Sequence, residues 1–181
     1  ANCNLIGVPG SITRFVAMAE WERSLVTEQG QIITPFASAR GDAYKLDIDD
    51  PYLDSYGAPV IDRFISTGDD EIVRGMAAVG LESRWPIMVS AGWGYQIFEP
   101  MAQLIARPDA QDNDLIPNED AKSLVFDDTT LFDRDKFSGY DRMEGGTRLN
   151  AGIRYRLQTN SGFSASALAG QSYHLAGMNS S

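Results

Sequence analysis

One short stretch, residues 147–158 with the sequence TRLNAGIRYRLQ, alternates between apolar and polar side chains along its whole length. Successive side chains of a β-strand point to opposite faces. The stretch therefore predicts a strand with one apolar face and one face that carries three arginines. The residues TNSG follow, and then a second alternating run, FSASALAGQSYHL. Because Asn and Gly tolerate positive φ, a tight turn joins the two runs, and together they predict a long antiparallel hairpin.

The alternation of this hairpin is compatible with two kinds of sheet. In a soluble protein the apolar face packs inward on a core. In a membrane barrel the apolar face contacts lipid, and the polar face lines a wet lumen. Each run has about ten residues, the length with which a tilted strand crosses a bilayer. The hairpin alone leaves both interpretations open.

Four further runs upstream predict strands at residues 13–26, 31–46, 72–86 and 95–107, which makes six strands with the hairpin. The first run is also rich in residues that favour a helix, but the turn-like sequence TEQG after it favours a strand. Proline lacks a backbone donor, so Pro35 marks an edge or a bulge, and Pro100 marks a local bulge. The predicted fold is all-β, an antiparallel up-and-down sheet of about six strands.

Short turns between these strands alternate with two long loops, residues 47–71 and 108–146. This rhythm is typical of outer-membrane barrels, in which short periplasmic turns alternate with long external loops. Six strands cannot close such a barrel, because about eight is the practical minimum. The chain is therefore either one segment, residues 1–181, of a larger barrel truncated at both ends, or a soluble sheet.

Both long loops are rich in aspartate and glutamate. Hard cations such as Ca²⁺ prefer oxygen ligands. Neither loop has the spacing of an EF-hand, so we expect solvated acidic loops and predict no metal site. In the second loop Asp127 and Asp128 precede TTLFDRDKF and are placed to cap a short helix.

The composition argues against several classes of function. A formal net charge of −10 without a basic patch argues against nucleic-acid binding. No apolar run is long enough for a transmembrane helix. Cys3 is the only cysteine and His174 the only histidine, and no Gly-x-Ser-x-Gly, Rossmann or P-loop motif accompanies them. The sequence therefore supports neither an enzyme nor a cofactor.

Five compound motifs lie in the second half of the chain: EPMAQ at 99–103, IPNED at 116–120, FSGYDR at 137–142, EGG at 144–146 and GQSY at 170–173. With their surroundings, from about residue 81 to residue 175, they resemble the barrel domain of the outer-membrane lipopolysaccharide-assembly family LptD, also called OstA or Imp. The first eighty residues agree with that family in general pattern only.

The resemblance implies that this chain is a C-terminal portion of a translocon barrel in the outer membrane of a Gram-negative bacterium. The family inserts lipopolysaccharide into the outer leaflet without covalent chemistry. Its implied partners are lipopolysaccharide, outer-membrane lipid, an LptE-like lipoprotein plug, and a periplasmic lipopolysaccharide-bridge protein that contacts the missing N-terminal domain. This piece would supply barrel wall and extracellular loops.

A barrel segment of this kind assigns the two faces of the strands. The candidates for the lumen-facing polar side are Arg74, Glu82, Arg84, Glu99, Gln103, Arg148, Asn150, Arg154 and Arg156. The candidates for the lipid-facing side are Val79, Leu81, Leu104, Leu149, Ile153 and Tyr155. The arginines of the hairpin are suited to lipopolysaccharide phosphates or the plug, or to ion pairs with carboxylates of adjacent strands. The alternative is a soluble β-sandwich that binds carbohydrate or Ca²⁺, in which the apolar faces pack on each other.

Overall fold

The computed structural model of the chain describes residues 10–48, 71–110, 116, 118, 120–123 and 130–177. These residues form ten strands: β1 Gly10–Glu22, β2 Leu25–Val26, β3 Ile32–Ile48, β4 Glu71–Arg84, β5 Ile87–Ala91, β6 Gly94–Ala106, β7 Lys122–Ser123, β8 Phe137–Ser138, β9 Thr147–Thr159 and β10 Ser164–Ala176. The long loop at residues 47–71 falls almost entirely outside the described residues.

Six long strands form one antiparallel sheet in the order β1-β3-β4-β6-β9-β10. The short strand β2 continues β1 along β3, and β5 continues β4 along β6. Every neighbour in this sheet follows its partner in the order of the chain, so the sheet is an up-and-down meander. β1 and β10 are its two edges, and the sheet does not close on itself. The predicted all-β fold with about six strands is confirmed.

The two prolines interrupt the sheet without a bulge. Glu22 pairs with Phe36 and Leu25 pairs with Ile33, so two residues intervene on each strand beside Pro35. The same holds beside Pro100, where Trp85 and Pro86 separate β4 from β5. The expectation of an edge or a bulge at Pro35 and of a bulge at Pro100 is wrong, because β3 has neighbours on both sides and the register is the same on either side of each gap. Since proline offers no N–H, the ladder opens there while the strand continues.

The register sorts the side chains onto two faces. On the outer face, directly paired residues form an apolar row across five strands: Pro35, Leu81, Leu104, Leu149 and Tyr173. Large apolar side chains of this face are exposed, for example Val79 at 57% and Ile153 at 46%. No second sheet covers this face among the described residues. Such an extended bare apolar surface marks a site that contacts something other than water.

The inner face is the buried one, and its centre is polar. Asn150, Gln103 and Asp42 are among the most buried side chains of the described residues. A small apolar cluster of Tyr44, Leu46, Ile72 and Ile116 lies toward one end. The cover over this face is a segment from the second long loop, residues 130–146, which we call the strap.

The strap contains turns and one short strand. The helix expected after Asp127 and Asp128 is wrong for the described residues 130–137, because Asp133 N–H closes a turn onto Thr130 O at 3.1 Å and β8 pairs with β7. Asp127 and Asp128 themselves lie outside the described residues. Among the described residues, no helix is long and apolar enough to cross a membrane.

Candidate functional site on the inner face

The strap crosses the inner face from one edge of the sheet to the other. Its first attachment is Tyr140, whose backbone oxygen accepts hydrogen bonds from Arg40, from Arg74 Nη2 at 2.6 Å and from Tyr44 Oη at 3.1 Å. Two guanidinium groups stack on the Tyr140 ring, those of Arg14 at 5.1 Å and Arg40 at 5.3 Å from its centroid. Arginine stacks well on aromatic rings, so β1, β3 and β4 all hold this one residue.

Asp141 adds a charged contact to the same attachment. Its carboxylate accepts from Arg14 Nη1 at 2.6 Å, and its backbone oxygen accepts from Arg74 Nη1 at 3.0 Å. Asp141 is 3% exposed, so this ion pair is shielded from solvent on the carboxylate side. The FSGYDR motif therefore fastens the strap to the sheet, and we call this attachment the clip.

A buried cluster of three charged side chains in the sheet, Asp42, Arg40 and Arg74, supports this attachment. Asp42 lies 2.6 Å from Arg40 Nη2 and 2.9 Å from Arg74 Nη2, and all three side chains belong to the sheet. Arg74 stands opposite Asp42 in the register of β3 and β4. A buried carboxylate needs such partners, since an unpaired charge in the interior is costly. The pair keeps the arginines pointed at the Tyr140 carbonyl.

Asp120 contacts the same residues of the strap through its carboxylate. The Asp120 carboxylate accepts the backbone N–H groups of Tyr140 and Asp141, each at 3.0 Å, and pairs with Arg14 at 2.9 Å. Burial raises the pKa of Asp120, but these hydrogen bonds and Arg14 outweigh it and lower that pKa below its usual value. Gly139, at φ +78°, passes so close that a Cβ would lie 2.6 Å from Asp120 O, so only glycine fits.

Glu144 makes the second attachment. Its carboxylate bridges two guanidinium groups, with Arg107 Nη1 at 2.6 Å and Arg148 Nη1 at 2.5 Å, and Lys136 Nζ lies 3.9 Å away. Glu144 is 7% exposed. Gly145 follows where a Cβ would lie 2.5 Å from Ala110 N, which explains the small residue in the EGG motif.

Arg134 makes the third attachment, with the charges reversed. Its guanidinium contacts Glu20 at 2.7 Å, Glu22 at 2.5 Å and Glu82 at 2.9 Å, and it stacks on the Phe36 ring at 4.2 Å. Burial lowers the pKa of Arg134, but the hydrogen bonds to the three carboxylates more than compensate and raise that pKa. One strap arginine thus neutralises carboxylates on β1 and β4.

The first residues of the strap, Leu131 and Phe132, pack into a hollow that two glycines of the sheet leave open. Gly152 and Gly170 pair directly across β9 and β10. A Cβ on Gly170 would lie 2.5 Å from Leu131 Cδ2, and a Cβ on Gly152 would lie 3.3 Å from the Phe132 ring. Leu131 is buried. The sheet therefore lacks side chains where the strap needs space.

The inner face is bare toward the tight turns. Arg154 pairs with Glu99 at 3.3 Å, and the Arg154 side chain is partly exposed while Glu99 is buried. Neither Arg84 nor Arg156 makes an ion pair among the described residues. We call the part of the inner face under the strap the strap half and the part near the tight turns the turn half. The charges of the strap half are thus paired with each other, while the turn half keeps the basic side chains of Arg84 and Arg156.

The register separates the residues that the sequence singled out. All nine polar candidates lie on the inner face, and all six apolar candidates lie on the outer face. Arg148 pairs with the strap and Arg154 with an adjacent strand.

The sequence reasoning missed Arg40, Asp42, Arg107, Arg134 and Glu144, although Arg40 and Asp42 stand at alternate positions of a predicted strand. Among the described residues, no group of three His, Cys, Asp or Glu side chains is placed to hold a metal ion.

These features define an antiparallel sheet protein with a bare apolar face and a polar face that its own chain partly fills. A family model described as LptD, LPS transport system D, matches residues 4–180, and the chain belongs to this family. No curated protein matches the chain significantly. The family is an outer-membrane component of lipopolysaccharide transport in Gram-negative bacteria and is not an enzyme family. At that level, the role of this chain is lipopolysaccharide transport.

Proposed function

We propose that this chain is one wall segment of the outer-membrane barrel through which lipopolysaccharide reaches the outer leaflet. The inner face lines the wet lumen, and the outer face contacts membrane lipid. The edge strands β1 and β10 pair with further strands of the barrel. The segment 108–146 is a loop of the external side, and its strap part folds back into the lumen.

The observation that carries the proposal is the reversed burial of the two faces. The outer row of Pro35, Leu81, Leu104, Leu149 and Tyr173 is continuous across five strands, and no other described element covers it. Charged groups such as Asp42, Arg74 and Arg148 lie on the opposite, buried side. Lipid outside and water inside is the solvent arrangement that fits this distribution.

The turn half of the inner face is the proposed contact for partners inside the barrel. Arg84, Arg154 and Arg156 stand there without cover from the strap. In an outer-membrane barrel this half lies toward the periplasm. An LptE-like lipoprotein plug fits beside this half, and a periplasmic bridge protein would deliver lipopolysaccharide from the same side through the N-terminal domain.

The soluble β-sandwich that binds carbohydrate or Ca²⁺ has less support. A sandwich needs a second sheet packed on the apolar face. The only other sheet among the described residues is the two-stranded pair of β7 and β8, which lies with the strap. The barrel wall therefore remains the function that the geometry favours.

Two adjacent residues in the middle of β9 test the assignment of the faces. Ile153→Arg in the full-length protein would place a charge in lipid, which costs about 2–4 kcal/mol near the middle of a bilayer. Arg154→Gln leaves a polar side chain in a wet lumen, opposite Glu99, and should be tolerated. The measurement is the fraction of folded barrel in outer membranes, read from heat-modifiable mobility on gels.

We expect Ile153→Arg to abolish most of the folded barrel and Arg154→Gln to retain nearly all of it. Equal tolerance of the two changes would reject the assignment of outer face to lipid. Greater damage from Arg154→Gln would reverse it.

A further inference from the structure

We propose that Arg107 and Arg148 form a binding site for a phosphate group of the transported amphiphile, and that the Glu144 carboxylate occupies this site when no cargo is present. Arrival of a phosphorylated glycolipid exchanges one anion for another and lifts the strap from the wall. The inference rests on the proposed function, since it requires the inner face to be the lumen.

The geometry of Glu144 is that of a bound anion. Two guanidinium groups from different parts of the wall converge on one carboxylate at 2.6 and 2.5 Å, with Lys136 as a third cation at 3.9 Å. Asp135, half-buried nearby, is the other acidic group of this cluster. Three cations therefore lie around the Glu144 carboxylate. Guanidinium forks match phosphate oxygens, and a phosphate brings more negative charge and more acceptors than a carboxylate.

A cavity provides room beside this cluster. It has a volume of about 370 Å³ and lies between the strap and β1, β3 and β4. Its lining includes the charged side chains of Arg107 and Glu144 and the apolar side chains of Phe36, Met76 and Met143. A ligand with a phosphate and an adjoining apolar part fits such a lining, because methionine side chains adapt to irregular apolar groups. This chemistry describes a phosphorylated amphiphile.

The strap is attached in a way that permits release. Its attachments to the wall are mainly ion pairs and backbone carbonyl contacts, which water can replace. The buried pair of Asp42 with Arg40 and Arg74 belongs entirely to the wall and stays closed without the strap. Leu131 and Met143 are the large apolar side chains of the strap that are fully buried.

Cross-linking of strap to wall tests the exchange. In the full-length protein, with Cys3 and any other reactive thiol replaced by serine, Glu20→Cys with Arg134→Cys places thiols at a contact where the native side chains meet at 2.7 Å. A short bismaleimide bridges them only while the strap is seated. The matched control is Met88→Cys with Ile97→Cys, a directly paired wall position that the strap does not touch.

The probes are purified lipopolysaccharide, phosphatase-treated lipopolysaccharide and inorganic phosphate. A ligand shifts a two-state equilibrium only by its differential affinity; we expect lipopolysaccharide to lower the bridging yield of 20–134 about fivefold or more. The yield of 88–97 stays constant. Arg148→Gln, added to the 20–134 pair, removes the response to lipopolysaccharide.

Each other outcome overturns the proposal. An equal fall with phosphatase-treated lipopolysaccharide would show that phosphate is not recognised. The same fall with inorganic phosphate alone would assign the site to free phosphate and not to the amphiphile. No fall at all would make the strap a fixed part of the wall. The Ile153 and Arg154 comparison does not involve the strap, so failure here leaves the assignment of the faces intact.

Discussion

The two faces of this sheet share the same strands and backbone hydrogen bonds but have opposite surroundings. On the outer face, apolar residues such as Val79 and Ile153 are about half exposed. On the inner face, Asp42, Arg74 and Arg148 are almost completely buried. Soluble proteins show the reverse, since charged side chains are rarely buried unless paired. This difference is what the proposed wall segment requires, in which the outer face would contact lipid and the inner face pairs its polar groups internally.

The largest effect is expected when the isolated chain is placed in water without membrane or detergent. We expect the isolated chain, residues 1–181, to form no stable monomer in water, because the outer face is bare and the edge strands β1 and β10 are unpaired. Sedimentation velocity and a thermal melt followed by circular dichroism are the measurements. A soluble monomer with a cooperative melt would contradict the comparison.

Removal of one buried inner charge is the next largest test. Arg74→Met leaves Asp42 with only Arg40 and removes two donors from the strap clip. Loss of one partner from a buried ion pair costs about 3–5 kcal/mol, and we expect the lower end because Arg40 remains. Arg156→Met, on the exposed turn half, should change stability by about 0.5 kcal/mol or less. Denaturant midpoints of the full-length protein in detergent measure both, and similar losses would refute the difference between the halves.

The hollow under the strap offers a smaller test. Gly170→Val places atoms where Leu131 Cδ2 and Ala151 O already lie, at 2.5 and 2.6 Å from the new Cβ. Overpacking costs about 1–3 kcal/mol, and we expect the strap to yield first and to become sensitive to protease. Ala167→Val on the outer face of the same strand is the control and should leave the strap resistant. A resistant strap in Gly170→Val would show that the hollow has no role.

The sequence predicted the faces but not the strap, and the physical reason is the range of the interactions. Alternation is a local property, so Arg148 and Leu149 sort onto opposite faces without knowledge of the fold. Tyr140 and Glu144 lie in an irregular segment, and the Tyr140 backbone oxygen accepts a hydrogen bond from Arg40, 100 residues away along the chain. The motifs around them were visible as a resemblance only. Pro35 and Pro100 showed that the ladder must open, but not whether a residue is inserted.

The smallest test concerns Asp135, an acidic residue of the strap whose side chain is largely buried. Burial raises the pKa of Asp135 above its usual value, and the Phe137 N–H, at 3.1 Å, and the charge of Arg107 offset this only in part. A carboxyl whose pKa is higher in the folded state opposes folding once it ionises. Its cost is absent below the unfolded pKa of about 4 and grows as the pH rises through the interval up to the folded pKa.

Asp135→Asn keeps an oxygen acceptor for Phe137 N–H and removes the charge. We therefore expect it to seat the strap more firmly at neutral pH, by about 1 kcal/mol or less, and to have no effect below pH of about 4. The measurement is the rate of proteolysis of the strap as a function of pH. Asp133→Asn removes the same charge from an exposed position of the strap and serves as the control. An equal gain from both variants, or a gain from Asp135→Asn that persists in acid, would mean that net charge and not burial governs the strap.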